Sequence, residues 1–263
     1  MKFKTMLRLL VIGLILLGLA ACTPAAPIPT LTPAPGTDDV LIIPVSGQVF
    51  PTSISLREEG RSPNYTITAQ TPRLAGSNDA RVKSFNEKVH KLVQGEIQYF
   101  RENILAQMPV TPITTGSYFD VQHALVFQHA DIWAFKFNFT GYADGAAQPY
   151  HYSMTVNYDL EQDRKLSLDD LFLPDSNYLQ AISSYSIAEL SKRGIGFYGG
   201  FEKGAEPSAD NYRNWNITQN GLMITFDEYQ VAPYTAGAQI VTIPYSELNP
   251  IIKKQGALAS LLP

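Results

Sequence analysis

Along this chain the spacing of apolar residues changes period several times, and each change marks an element. From residue 79 to 107, apolar side chains fall at Val82, Phe85, Val89, Leu92, Val93, Ile97, Phe100 and Ile104. That three-and-four spacing places them on one face of a helix, roughly 40 Å long at about 1.5 Å per residue. Ser77 or Asn78 stands where a cap belongs, and Pro109 and Pro112 stop the helix. The period then becomes two. Residues 117–128 and 132–142 read as paired strands about a turn at His129-Ala130-Asp131, and 150–158 as a third, closed by a turn at 159–164. Shorter runs at 40–45, 54–57 and 65–70 read as strands ahead of the helix, and 222–226 and 238–244 as strands near the end. Residues 168–172 form a helical turn, 177–192 a second amphipathic helix, and 246–248 open a terminal helical turn, while 194–214 is Gly-rich and unpatterned. Such blocks, joined by hairpin-length links, predict an α+β fold: an antiparallel sheet packed by one long and one shorter amphipathic helix.

Ahead of these elements, Lys2, Lys4 and Arg8 form a basic head, residues 9–19 an apolar run, and Leu19-Ala20-Ala21-Cys22 follows. A basic head, a short apolar run and a small-residue exit describe a secretory signal; the run is too short to span a bilayer. The Leu-Ala-Ala-Cys string resembles the lipobox of bacterial lipoprotein precursors. It implies cleavage before Cys22 and a diacylglyceryl group on its thiol, which tethers the protein to the bacterial cell membrane on its extracytoplasmic side. Residues 23–37 carry five prolines and no charge, which makes an extended, solvated tether. The expected organisation is a signal peptide at 1–21, a Pro/Thr-rich tether at 22–37 and a single α+β extracytoplasmic domain at 38–263.

Loss of the signal leaves 17 basic against 24 acidic residues, a formal charge of about −7. That balance excludes nucleic acid as a partner, since its binding rests on clustered Lys and Arg. It also leaves the lipid on Cys22 as the link to the membrane. With the single cysteine committed to lipid, the mature chain holds no disulfide, no Cys-ligated metal and no thiol nucleophile. A 45% hydrophobic composition with 27 Tyr and Phe residues supplies a core instead.

Chemical motifs are sparse. Gly194-Ile195-Gly196-Phe197-Tyr198-Gly199 matches G-x-G-x-x-G, but it leaves a helix where a dinucleotide site leaves a strand, so it reads as a helix C-cap and loop. Thr225-Phe226-Asp227-Glu228 resembles a strand end of polysaccharide deacetylases. Glu228 stands where those enzymes have a ligand Asp, and no histidine follows His151. His90 reads as a solvated helix residue. His123 and His151 lie in strands where they could face one another near Asp144, short of the converging set that zinc needs. No catalytic residue, metal ligand or cofactor is expected.

Two stretches carry a family resemblance. The first is residues 226–237, Phe-Asp-Glu-Tyr-Gln-Val-Ala-Pro-Tyr-Thr-Ala-Gly, with 241–248. The second is residues 142–149, Tyr-Ala-Asp-Gly-Ala-Ala-Gln-Pro, with 157–160 and 166–172. Both are similar to the RsiV-like extracytoplasmic domain family, which also includes the non-catalytic domain of some peptidoglycan deacetylases. The resemblance spans about 64–253, and Gln148 stands where members often carry His. It implies an α+β fold and extracytoplasmic work and does not imply catalysis; the expected function is a binding or sensing domain, not an enzyme, with a lysozyme-type protein or a cell-wall glycan as ligand. The alternative is a cell-envelope hydrolase or a peptidoglycan deacetylase-associated protein. Tyrosines and polar groups at the two signature turns, Tyr142, Asp144, Gln148, Tyr150, His151, Tyr229 and Tyr234, form the candidate binding surface, because aromatics with polar tips suit such faces. Cys22→Ser is expected to release the protein from membranes or leave it as an uncleaved precursor. Fractionation and migration identical to the parent would refute the lipid anchor.

Overall fold

A computed structural model of the chain describes residues 48–108, 116–194 and 201–262. The signal, Cys22, the tether, the 40–45 strand, the helix-stopping prolines and residues 195–199 of the glycine motif lie outside the described residues. All described residues fall in one compact unit.

The fold is α+β, with nine strands in two sheets among the described residues. The larger sheet has six strands in chain order: β1 (Phe50–Arg61), β2 (Asn64–Ala75), β3 (Ser117–His129), β4 (Ile132–Tyr142), β5 (Tyr150–Asp159) and β6 (Arg164–Lys165). The long helix α1 (Ala80–Asn103) lies between β2 and β3. Those two strands run parallel while every other pair is antiparallel. A parallel pair needs a long crossover, and α1 supplies it. Asp79 caps this helix, its side chain accepting from Arg81 N–H at 2.8 Å. The Ser77 hydroxyl expected there accepts instead from Asp79 N–H.

Strict alternation in β4 explains how the sheet is covered. Trp133, Phe135, Phe137 and Phe139 share one face and are buried with the α1 stripe of Val82, Phe85, Val89, Val93, Ile97 and Phe100. Each such side chain contributes about 1.5–3 kcal/mol by leaving water. Phe139 stacks on Tyr152 of β5 at 4.7 Å, and Phe85 meets Tyr158 edge-on at 5.1 Å. Gly141 belongs to this packing: a Cβ there would stand 2.1 Å from Tyr150 Cζ.

The opposite face of β4 and β5 is polar, and a second sheet covers it. This sheet comprises β7 (Trp215–Ile217), β8 (Leu222–Phe226) and β9 (Gln239–Ile243), all antiparallel. Its far side packs with helix α2 (Tyr178–Ser191) and the short α3 (Tyr245–Leu248) in a second core. The second helix buries Ser183 and Ser186 beside Ile182 and Leu190, so its polar and apolar faces contrast less than the sequence pattern suggests. Ser183 Oγ donates to Ala205 O at 2.6 Å.

Between the two sheets runs a seam of buried amides. Asn157, 1% exposed, donates from Nδ2 to Trp215 O at 2.8 Å and accepts Ile217 N–H on Oδ1 at 3.0 Å. Asn216, fully buried, donates to Phe135 O at 3.1 Å. Trp215 N–H donates to Thr155 Oγ1 at 3.0 Å. Asn157 therefore serves β7 as a strand partner would. Asn157→Ala should strand a buried N–H and a buried C=O and cost about 3 kcal/mol. That corresponds to a thermal midpoint roughly 6–12 °C lower for a domain of this size. A calorimetric midpoint within about 2 °C of the parent would show that the seam carries no such weight.

Candidate functional site

The two signature turns meet. Gln148, in the turn between β4 and β5, donates from Nε2 to the Tyr229 hydroxyl at 2.7 Å. Tyr229 lies 5.9 Å from Tyr234, ring centre to ring centre, and Tyr234 lies 6.2 Å from His151. Tyr142 stacks at 5.6 Å on Tyr118, its register partner across β3 and β4. The Tyr234 phenol is pushed up by desolvation and then by Glu228, Tyr229 and Tyr118 nearby. Tyr118, Tyr142, His151, Tyr229 and Tyr234 thus share one surface. Asp144 sits beside it, its N–H donating to Ser117 Oγ at 3.0 Å, which docks the turn onto the start of β3.

Tyr150 does not belong to this surface. It precedes His151 in a strand, and successive strand residues point to opposite faces. Its phenol is pushed up to about 12, first by burial and then by Tyr99 and Glu96 of α1. Tyr118, 37% exposed, takes the place the sequence reading gave Tyr150; the signal for it is its register opposite Tyr142. The pleat also separates the two strand histidines. His123 points to the α1 side, bonded to Ser53 Oγ at 2.6 Å and close to Phe135 and Phe137. His151 faces the other way, its Nδ1 3.0 Å from Thr140 Oγ1. Among the described residues no group of three or more His, Cys, Asp or Glu converges as metal ligands would.

What positions the tyrosines is the acidic pair at the end of β8. Only Tyr158 and Asp159 of β5 pair with β6, so the rest of that edge lacks a strand neighbour in the sheet. Asp227, 8% exposed, fills part of the gap: Oδ1 accepts Ser153 N–H at 2.9 Å and Oδ2 accepts Asn214 Nδ2–H at 3.0 Å. The backbone N–H of His151, two residues along, faces the Glu228 carboxylate. Asp227 thus stands in for a strand carbonyl on one donor of β5, with Glu228 turned towards the donor two residues away. Tyr229 follows with φ +64°, a left-handed conformation uncommon for a bulky residue, and the residue is 57% exposed. Behind it a cleft of about 260 Å³ is lined by Lys136, Asn138, Thr140, His151, Ser153, Asp227 and Glu228 among others.

Comparison with known proteins gives the domain its relatives. Residues 169–246 match a family described as a protein of unknown function, DUF3298. The chain is 28% identical over 203 residues to the peptidoglycan-N-acetylmuramic acid deacetylase PdaC of Bacillus subtilis, covering 76% of this chain and 41% of that protein. It therefore spans less than half of PdaC. It is 29% identical over 221 residues to the anti-sigma-V factor RsiV of the same organism, covering 80% of this chain and 73% of RsiV. A DUF3298 family structure from Bacteroides fragilis superposes with a TM-score of 0.63 at 16% identity, over 82% of this chain and 98% of its own; it attests the fold. These matches bear out the resemblance to the RsiV-like domain that also occurs in peptidoglycan deacetylases.

Burial raises the Asp227 carboxyl above its ordinary value of 3.8, with Ser153, Arg213 and Lys136 pulling it back. A carboxyl with a higher pKa folded than unfolded holds extra protons in the native state. Its share of stability is present below the unfolded value and lost as pH rises through the folded one. Asp227→Asn should therefore lose less stability than the parent as pH rises from about 4. Urea midpoints measured across that range check this. Parallel curves for the two proteins would show that Asp227 does not titrate between the two states.

Proposed function

We propose that this is a lipid-anchored extracytoplasmic binding or sensing domain of the bacterial envelope, and that its tyrosine surface docks a protein partner of the lysozyme type. The observation that carries the reading is the convergence of Gln148, His151, Tyr229 and Tyr234 from the two signature turns. Tyr229 supports it further. A non-glycine residue held at positive φ costs of order 1 kcal/mol or more, and such positions cluster at binding sites. Here the conformation lifts a large amphipathic ring off the surface, the kind of side chain that dominates protein interfaces. The relationship to RsiV and PdaC supports the extracytoplasmic setting, and the Leu-Ala-Ala-Cys string supports the anchor at Cys22. The cell-wall glycan remains the alternative ligand class. An envelope hydrolase reading would lean on PdaC, but the match covers 41% of that protein and Asp227 is spent on joining the sheets.

Lysozyme binding to the detergent-solubilised chain, read by surface plasmon resonance, tests the proposal. Tyr229→Ala and Tyr234→Ala should each weaken it at least about tenfold, the loss of a central aromatic anchor. Tyr99→Ala, which removes an exposed tyrosine from α1, should leave it unchanged. No binding to the parent chain, or equal binding by all three variants, would refute the docking surface.

A further inference from the structure

The cleft behind the tyrosines has a lining that protein docking does not require. Lys136 enters it from the polar face of β4, half-buried, its pKa pulled down by desolvation and pushed back by the charge of Asp227. Among the described residues its ammonium has no hydrogen bond and no ion pair. Asn138, two residues along the same face, is exposed and presents an amide. Thr140 and His151 are bonded to each other, and Glu228 offers an acceptor on the far wall.

We propose that this cleft is a saccharide subsite, which takes one hydroxyl-rich sugar ring of a glycan lying across the tyrosine surface. It rests on the reading above that this surface is the ligand face. The lining carries both charges at close range, so a simple ion of either sign meets a like charge. A neutral ligand that donates and accepts at many points matches an ammonium, an amide, a hydroxyl, an imidazole and a carboxylate together. The volume is just below the range of drug-sized pockets, as suits one ring. The rim adds the other half of sugar recognition. Tyr234 beside His151, and the stacked pair Tyr118 and Tyr142, offer flat apolar faces with polar tips, against which the C–H face of a pyranose packs while its hydroxyls turn to the cleft. Filling the cleft would also give Lys136 the hydrogen-bond partners its half-buried ammonium lacks.

Isothermal titration of the detergent-solubilised full chain with chitotetraose, a β-1,4-linked N-acetylglucosamine oligomer, tests this. The parent should bind with a Kd of order 1 mM or tighter. Lys136→Met, which keeps the buried stem, and Asn138→Ala, at an exposed site, should each weaken binding by about tenfold with unchanged thermal midpoints and unchanged lysozyme binding. Absence of saccharide binding by the parent, or binding indifferent to both substitutions, overturns the subsite. Sugar binding lost in Lys136→Met while lysozyme fails to bind at all supports the subsite and removes only the protein-docking reading. Lysozyme binding that depends on Tyr234, with no sugar binding, removes the subsite alone.

Discussion

The structure depends on one constraint: β4 and β5 are covered on both faces over part of their length, and the faces differ in kind. Phe135, Phe137 and Phe139 make one side an aromatic wall, and any apolar stripe of the right length covers it, as α1 does. The other side presents Ser153, Thr155 and Asn157, all buried. A cover there must return hydrogen bonds as well as exclude water, because a buried unpaired polar group costs about 1–3 kcal/mol. The three-stranded sheet meets that demand with backbone groups of Trp215 and Ile217 and with side chains of Asn216 and Asp227. Specific pairing of this kind fixes the register of one sheet on the other more tightly than apolar packing alone.

The same constraint explains which parts of the fold were legible in the sequence. Helix α1 and strands β3 to β5 announce themselves because each turns one apolar side and one more polar side to different surroundings, so the sequence carries a clean period of 3.6 or 2. The parallel pairing of β2 with β3 and the division into two sheets are non-local relations that no periodicity records. Strand β7 has three residues, too few to show alternation. The seam was hidden for a different reason: asparagines in a sequence read as turn formers or surface residues, and the burial of Asn157 and Asn216 follows only from what packs on them.

At the candidate surface, the family signatures pointed to two turns that the structure brings into contact, and the strand period, applied strictly, would have sorted the residues within them. Adjacent Tyr150 and His151 cannot share a face, and Tyr118 enters by register with Tyr142. What no local pattern shows is that Gln148 reaches Tyr229, a contact 81 residues apart in sequence.

Structural support and display are joined in one tetrapeptide. Asp227 closes the seam, Glu228 faces the next edge donor of β5, Tyr229 turns outward at positive φ, and Gln230 closes the turn by donating its N–H to Asp227 O at 3.1 Å. The Gln230 side chain then donates to Gly204 O and Asn211 O at 3.0 and 2.9 Å, so the loop that follows α2 is tied to the same point. The tyrosines therefore stand on a base that cannot shift without disturbing the packing of one sheet on the other. Under the proposed docking, such a base would limit the conformational entropy lost on binding, and preorganisation of that kind raises affinity without adding a contact. It also separates the residues by consequence: a change at Asp227 acts on folding and display together, whereas a change at the exposed Tyr229 ring leaves the seam intact.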